Sequence, residues 1–450
     1  MASPDKLERS LSLTQATAIN MIDMVGIGPF VTIPFIVSAM KGPQCILAWL
    51  LGALLAFLDG SVWAELGARW PQAGGSYVFL QNVYGNKKFG RMMSFLFVWQ
   101  TTFQAPLVVA SGAIGFSQYL NYLVPISSIE QKAISGALVI IITILLYRNI
   151  KSIGKISVLL WIITGGTFIW LIASGVRNFN PHWAFGFDKS SFDLSSMFFA
   201  GLGHASLKTV YSYLGYYNVC HLGGEIKKPE KNIPRAIFIS VAGIAVLYLG
   251  MQIVIQGAMP WQKIAGSHFV ISDYFAHIYN QQTAQVATGL ILFIAVASLF
   301  AVMLGYSRIP YAAALDGNFF PAFGKLHPEK KFPYISLLVL GAFGFGFSLL
   351  FKLGDVINAI ITMRIVVQFV AQAAGVLYWH RTRPNDIRPY KMWLYPLPAI
   401  FAIIIWLFIL SKSAPELILA SAVIIAAGIV VFYLFIWPRH KNKARSPVAI

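Results

Sequence analysis

Long apolar segments that lack any charged residue constrain the fold of this 450-residue chain more than any other feature. In a helix, about 20 apolar residues cross a hydrocarbon core of about 30 Å. Period-2 alternation, which a membrane β-barrel requires, is absent. We therefore predict an all-α integral membrane protein. The longest segments without Lys, Arg, Asp or Glu are 92–129, 156–176, 236–262, 274–307, 332–351 and 417–437.

The composition agrees with a lipid environment. Hydrophobic residues make up 57% of the chain and charged residues only 11%, whereas soluble domains carry about a quarter charged residues. No polar stretch is long enough to form a separate soluble domain. The bilayer is therefore the first partner that the sequence predicts.

The net charge of +18 would indicate nucleic acid if the basic residues shared one soluble surface. They do not. With a cytoplasmic N-terminus and twelve crossings, most of the 34 Lys and Arg residues fall in cytoplasmic segments, as the positive-inside rule requires. The pattern predicts a multi-pass cell-membrane protein with both termini cytoplasmic and no nucleic-acid partner.

The predicted spans lie between a cytoplasmic N-terminus, residues 1–13, and a basic cytoplasmic tail, residues 438–450. Short connections punctuated by Pro and Gly separate the spans. We predict about twelve: 14–39, 43–67, 90–120, 131–147, 151–177, 195–224, 234–258, 283–312, 333–351, 355–380, 393–411 and 415–437.

Catalytic and cofactor motifs are missing from the sequence. It contains neither a His-Glu-x-x-His zinc motif nor a nucleotide-binding Walker loop, so we expect no enzyme activity, no metal and no cofactor. The only cysteines, Cys45 and Cys220, lie in apolar runs. A disulfide-linked partner subunit is therefore not indicated.

The first predicted span is interrupted by Gly26, Ile27 and Gly28, followed by Pro29. A break here frees the N–H groups that begin the outer half-helix, and these donors suit a carboxylate. Glycine permits non-helical dihedrals and close approach of a ligand to the backbone. Glycines in membrane helices also serve close helix packing, which is the competing interpretation.

The sixth predicted span is interrupted around Leu214 and Gly215. Because this span descends from outside, its break presents carbonyl groups, which suit an ammonium group. Corresponding interruptions in two halves indicate a substrate site in inverted-repeat transporters. We therefore predict five-helix repeats at 14–177 and 195–380, followed by two further helices at 393–437.

Four motifs occur in order along the chain. They begin at Glu65-Leu66-Gly67, Gly224-Glu225-Ile226, Ser307-Arg308 and Arg383-Pro384. In these motifs the sequence resembles the amino acid–polyamine–organocation superfamily over nearly its whole length. The resemblance implies a leucine-transporter-type fold with a 5+5 inverted repeat and broken helices 1 and 6, and alternating access to a midplane site.

The resemblance also implies roles for individual residues. Gly26, Ile27 and Gly28 would bind the substrate carboxylate. Tyr213, Leu214 and Gly215 would bind the amine, and Tyr216 would form an aromatic gate. Lys151, at the start of the fifth helix, would occupy the place of a sodium ion; the alternative is a topological anchor, a role that Lys155 would share.

Several ionisable residues fall inside predicted spans. Such residues usually face the bundle interior or a watery path. Asp23 lies one turn below the first break, where it could carry a proton for coupling or pair with a lysine. A structural ion pair among these residues is the alternative. The others are Asp59, Lys208 and Arg364. We expect Lys208 and Arg364 to make the cavity partly cationic, which disfavours a polyamine and favours a neutral or acidic amino acid.

Taken together, these features predict a sodium-independent secondary transporter of amino acids, coupled to protons or working by exchange. Some polyamine-transporting members of the family that the sequence resembles also carry Gly-Pro-Phe at the first break, so a polyamine or another organic cation is the alternative substrate. A channel is a further alternative, although paired breaks form an enclosed site rather than a continuous pore.

Overall fold

A computed structural model describes residues 7–85, 87–148 and 150–438. Within them the chain forms α-helices and short 3₁₀- and π-helical turns, which confirms the predicted all-α class. The predicted tail beyond residue 438 and residues 1–6 of the predicted N-terminus lie outside the described residues. The helices are α1 Leu13–Met24, α2 Gly28–Met40, α3 Ile46–Arg69, α4 Ser76–Val83, α5 Lys88–Leu120, α6 Ser128–Leu146, α7 Ile150–Val176, α8 Pro181–Phe185, α9 Ser196–Tyr213, α10 Asn218–His221, α11 Pro229–Ala258, α12 Trp261–Ala265, α13 Val270–Ile278, α14 Gln281–Tyr306, α15 Arg308–Leu315, α16 Tyr334–Leu350, α17 Leu353–Arg364, α18 Ala371–Thr382, α19 Leu397–Ser411 and α20 Pro415–Val431.

Each predicted span coincides with one helix or with two consecutive helices. In the described part of the chain, eight helices are long and apolar enough to cross a membrane, or nine if the bent pair α1 and α2 counts as one. Two shorter apolar helices, α16 and α19, lie where further spans are predicted. The multi-pass architecture is thus confirmed, while the count of twelve and the inverted repeat remain predictions.

The first predicted span lies at the centre of the bundle. Its first half, α1, packs against α7, α11 and α14, and its second half, α2, packs against α9. Helix α5 runs beside α14 and α17. The last helix, α20, packs mainly on α5 and α17 and is largely exposed, as expected for a helix in contact with lipid. Breaks in α1–α2 and α9–α10 are therefore brought together by helix packing.

The sequence motifs meet at the end of the bundle that is predicted to be cytoplasmic. Glu65, at the end of α3, is buried and lies 2.6 Å from Nε2 of His380 in α18. Arg388 of the following loop lies 3.7 Å from the same carboxylate. These contacts join the first motif to the fourth.

A second contact joins the motif after α10 to the start of α15. Arg308 donates from Nη2 and Nε to the two carboxylate oxygens of Glu225, at 2.9 and 3.1 Å, and both side chains are buried. The backbone N–H groups of Ser10 and Leu11 donate to the carbonyl of Glu225. Bidentate geometry and additional hydrogen bonds are what a buried ion pair needs to offset its desolvation. The pair therefore holds this end of the bundle closed.

Candidate functional site

The break in the first span lies where the sequence predicts it. Helix α1 ends at Met24, α2 begins at Gly28, and their axes differ by 45°. No side chain caps α2, and Pro29 occupies its first turn. Among the described residues, no backbone carbonyl accepts a hydrogen bond from the N–H of Gly26, Ile27 or Gly28. These donors, at the positive end of the α2 dipole, are available to an anion.

The second break separates α9 from the short α10. Helix α9 ends at Tyr213, and Gly215 adopts a φ of +116°, a conformation that favours glycine. A Cβ at Gly215 would lie 2.8 Å from the backbone nitrogen of Met24, so a side chain here would push the two breaks apart. Within the described part of the chain, the carbonyls of Tyr213 and Leu214 accept no backbone hydrogen bond. They remain free to accept from a cation.

Two buried side chains hold the breaks together. Asn20 of α1 donates to the carbonyl of Tyr216 at 2.6 Å and accepts from the N–H of Val219 at 2.8 Å. The hydroxyl of Tyr248, in α11, lies 2.7 Å from the carbonyl of Met24 and 3.1 Å from that of Ser212. Unpaired backbone groups are costly in an apolar interior. These contacts satisfy the groups that the breaks would otherwise leave unpaired.

A narrow cavity of about 60 Å³ lies between the breaks. Its lining combines backbone of both breaks with side chains of α5, α14 and α17. The polar side chains that line it come from five elements and include one acid and one base. They are Asp23, Ser111, Tyr211, Ser212, Tyr217, Ser298, Tyr306 and Arg364.

Packed residues lie on both sides of this cavity, and we call the two groups the outer seal and the inner seal. On the predicted outer side, Tyr211 of the cavity wall packs in an apolar cluster with Val31, Ile114 and Ile357. The latter three residues line an outer cavity of about 770 Å³. On the predicted cytoplasmic side, the buried ring of His221 packs against Tyr306 of the cavity wall. The backbone N–H of Gly74, in the segment before α4, donates to the carbonyl of His221.

Most of the residues predicted to bind substrate line the cavity. Gly26, Ile27, Gly28, Leu214 and Gly215 all contribute to its wall. Asp23, predicted to couple an ion, also lines it. The binding and coupling roles themselves remain predictions.

Two predicted site residues have their side chains elsewhere. The ring of Tyr213 is buried between Trp49 and Tyr248, so only its backbone is near the break. Tyr216 is buried and donates its hydroxyl to Asp59 in α3. Neither lines the cavity, whereas the neighbouring Tyr217 does. The tyrosine that reaches the cavity is thus Tyr217 rather than Tyr216, and the gate role stays a prediction.

Lys151 lies apart from the site. Its ammonium is 2.7 Å from the carboxylate of Glu8, and the two side chains are 65% and 57% exposed. Residue 151 is the second residue of α7, and its neighbour Gly154, rather than Lys151, faces α1 through Gln15. The ammonium of Lys151 therefore lies at the surface rather than in an enclosed ion site. A coupling role for Lys151 stays a prediction without support from its position.

Sequence reasoning missed Asn20, Tyr248 and the cavity position of Tyr217. Asn20 and Tyr248 lie in apolar runs and carry no charge that would have singled them out. Arg364, which the sequence predicts to make the cavity partly cationic, does line it. It is buried, ends α17 and precedes a π-helical turn at Ile365–Val370. Such π-turns are frequent at functional sites.

Comparisons with known proteins agree with this architecture. A family model described as amino acid permease matches residues 11–438. The chain is similar to the methylthioribose transporter of Bacillus subtilis, with 23% identity over 95% of this chain and 94% of the relative. It is also similar to the branched-chain amino acid permease of that organism, with 24% identity over 95% and 93% of the two chains. A third relative is the aspartate-proton symporter of Bacillus subtilis, 23% identical over 82% of this chain and 72% of the relative.

Removal of the Tyr248 hydroxyl tests whether the two breaks must be held together. We expect Tyr248→Phe to lower the free energy of unfolding by about 1 kcal/mol, because two buried carbonyls lose a donor, and to reduce transport at least fivefold. Thermal unfolding in detergent and uptake by proteoliposomes measure the two effects. Tyr274→Phe is the matched control, since its hydroxyl donates to the carbonyl of Leu171 at 3.0 Å, away from the cavity. Equal losses of uptake in both variants would contradict the special role of Tyr248.

Proposed function

Because this chain belongs to the amino acid permease family, we propose that it is a secondary active transporter that moves amino acids across the cell membrane by alternating access. The observation that carries the proposal is the pair of joined helix breaks at one cavity. One break offers backbone donors and the other offers backbone acceptors. An α-amino acid presents the complementary pair of charges.

The proposed binding mode uses backbone for both ends of the zwitterion. The N–H groups of Gly26, Ile27 and Gly28 receive the carboxylate, helped by the α2 dipole, which contributes about 0.3–1 kcal/mol or more where water is excluded. The carbonyls of Tyr213 and Leu214 receive the ammonium. Asp23 lines the cavity directly beside Gly215, so its carboxylate adds charge at the ammonium end.

Alternating access requires two seals that open in turn, and both are supported by observed contacts. The outer seal is apolar side-chain packing around Tyr211, and the inner seal is the packing of His221 on Tyr306 with the hydrogen bond from Gly74. Rocking of the five-helix repeats at 14–177 and 195–380 would open one seal while the other stays closed. The helices at 393–437 would not take part in this movement. In the proposed topology, both termini are cytoplasmic.

Coupling is proposed to use a proton or substrate exchange rather than sodium. Asp23 is the candidate proton carrier because it lies in the cavity, next to the first break. One relative is named an aspartate-proton symporter, which makes proton coupling a precedent within the family. Sodium independence was first inferred from Lys151, and the exposed position of that lysine removes this argument.

A polyamine or another organic cation fits the cavity less well. The buried guanidinium of Arg364 lines the same wall, and it would repel a second cation in a medium of low dielectric constant. A channel is disfavoured because packed side chains lie on both sides of the cavity. The family indicates a transporter rather than an enzyme.

Uptake by proteoliposomes tests the function and its coupling. We expect the purified protein to give saturable uptake of radiolabelled amino acids, stimulated by an inward proton gradient or by internal amino acid. Replacement of sodium by choline at fixed pH should leave the rate unchanged within twofold. No uptake of any amino acid would contradict the proposed function, and a large saturable sodium stimulation would contradict the coupling alone.

Gly26→Ala separates ligand binding from helix packing. A Cβ at residue 26 would lie 2.7 Å from Oγ of Ser298, so the variant suffers from a side-chain clash and from a narrower backbone cradle. Because Cβ of Ser298 would also lie 3.3 Å from the added methyl group, Ser298→Gly is the change that removes the clash. We expect at least a tenfold loss of uptake in Gly26→Ala, and only partial recovery when it is combined with Ser298→Gly. Ser298→Gly alone and Gly289→Ala, where an added Cβ meets nothing within 4 Å, are the controls. Full recovery in the double variant would mean that Gly26 serves packing only.

A further inference from the structure

Arg364 has donors that no group in the described protein satisfies. The side chain is 4% exposed. Its Nη1 donates to the hydroxyl of Tyr217, and its guanidinium lies over the rings of Tyr217 and Tyr306, at 5.5 and 5.3 Å. Within the residues described, Nε and Nη2 have no hydrogen-bond partner. A buried guanidinium with two unused donors is costly unless a partner arrives.

Asp23 does not supply that partner. Among the described residues, no carboxylate oxygen lies within 4 Å of the Arg364 guanidinium, although the Asp23 charge is near enough to interact with it. The Asp23 carboxylate lies beside Gly215 and Asn218, at the end of the cavity proposed for the ammonium. The wall thus carries one carboxyl group and one guanidinium at separate positions, in addition to the backbone donors at the first break.

The outer cavity provides an independent observation. Three lysines line it and only one acid, and Lys208 is held in its wall by a 2.7 Å hydrogen bond from Nζ to Asn358. The other charged groups there are Lys132, Lys352 and Asp355. A cavity lined mainly by cations raises the local concentration of anions and speeds their arrival.

We propose that the substrate is an acidic amino acid, or a close analogue with a second carboxylate, and that Arg364 binds its distal carboxylate. The inference rests on the proposed function and adds the chemical class of the substrate. The α-carboxylate occupies the first break, the ammonium lies between Asp23 and the carbonyls of the second break, and the distal carboxylate accepts from Nε and Nη2 of Arg364. Each charge of an acidic amino acid then meets an opposite charge or a set of backbone donors.

Amino acids without a second carboxylate leave the Arg364 guanidinium without a partner of opposite charge. A neutral amino acid leaves the two guanidinium donors of Arg364 unpaired inside the cavity. Buried donors without a partner lower the affinity for such a ligand strongly. A cationic amino acid adds repulsion to that penalty. Lysine would not replace Arg364 equally, because only the planar guanidinium can donate two parallel hydrogen bonds to a carboxylate while it lies over aromatic rings.

Pairs of substrates that differ in charge but not in shape test the proposal. In proteoliposomes with the full-length protein, we expect glutamate or aspartate to be taken up at least thirtyfold more efficiently than glutamine or asparagine. Arg364→Gln should abolish this preference and retain uptake of the neutral partner. If Arg364→Gln does not fold, thermal stabilisation of the wild-type protein by glutamate and aspartate, but not by glutamine and asparagine, decides the substrate class.

Lys208→Gln tests the outer cavity separately. We expect it to raise the apparent KM for the acidic substrate at low ionic strength with little change in kcat, and the effect should diminish as salt is added. Lys41→Gln is the control, because Lys41 is exposed and lines neither cavity.

The outcomes distinguish a failure of the proposed substrate class from a failure of the proposed transport function. Wild-type uptake that favours neutral or cationic amino acids would overturn the acidic class while the transporter assignment stands. An acidic preference that survives in a folded Arg364→Gln protein would overturn the role of Arg364. Absence of uptake and of stabilisation by every amino acid would overturn the proposed function itself.

Discussion

An interrupted helix in an apolar bundle must find partners for the backbone groups that it exposes, and this constraint shapes the centre of the molecule. In lipid no water is available to hydrogen-bond them. Asn20 and Tyr248 satisfy some of these groups and join the two breaks. Residues Gly26–Gly28, with their unpaired N–H groups, and Leu214, with its unpaired carbonyl, line an internal cavity, where a charged ligand can bind these groups. The proposed binding site thus exists because the first and sixth spans are interrupted.

The seals on either side of the cavity differ in chemistry. The outer seal consists of apolar contacts between α2, α5, α9 and α17, which are non-directional and can re-form after small shifts. The inner seal packs His221 on Tyr306, and the same end of the bundle carries the buried ion pair of Arg308 with Glu225, whose strict geometry allows fewer arrangements. The sequence motifs lie at this inner seal rather than at the cavity. The motif residues connect the helices at this end of the bundle, whereas the cavity residues determine which substrate the protein binds.

Much of the architecture could be predicted from the sequence because the relevant signals are local. Charge-free apolar runs define the helices, and the glycines with Pro29 define the first break. Which side chain points into the cavity depends on helix rotation, which spacing alone does not fix. For this reason Tyr217 lines the cavity and Tyr216 bonds Asp59 instead. The exposure of Lys151 and the burial of Arg364 depend on long-range packing in the same way.

The central claim is that backbone at the two breaks binds the substrate. A cryo-EM structure of the protein, prepared with a saturating amount of the amino acid that stabilises it most, tests this claim directly. The account predicts ligand density with a carboxylate against the N–H groups of Gly26–Gly28 and an amine beside Leu214 and Asp23. A ligand bound elsewhere, with both breaks empty at saturation, would contradict it.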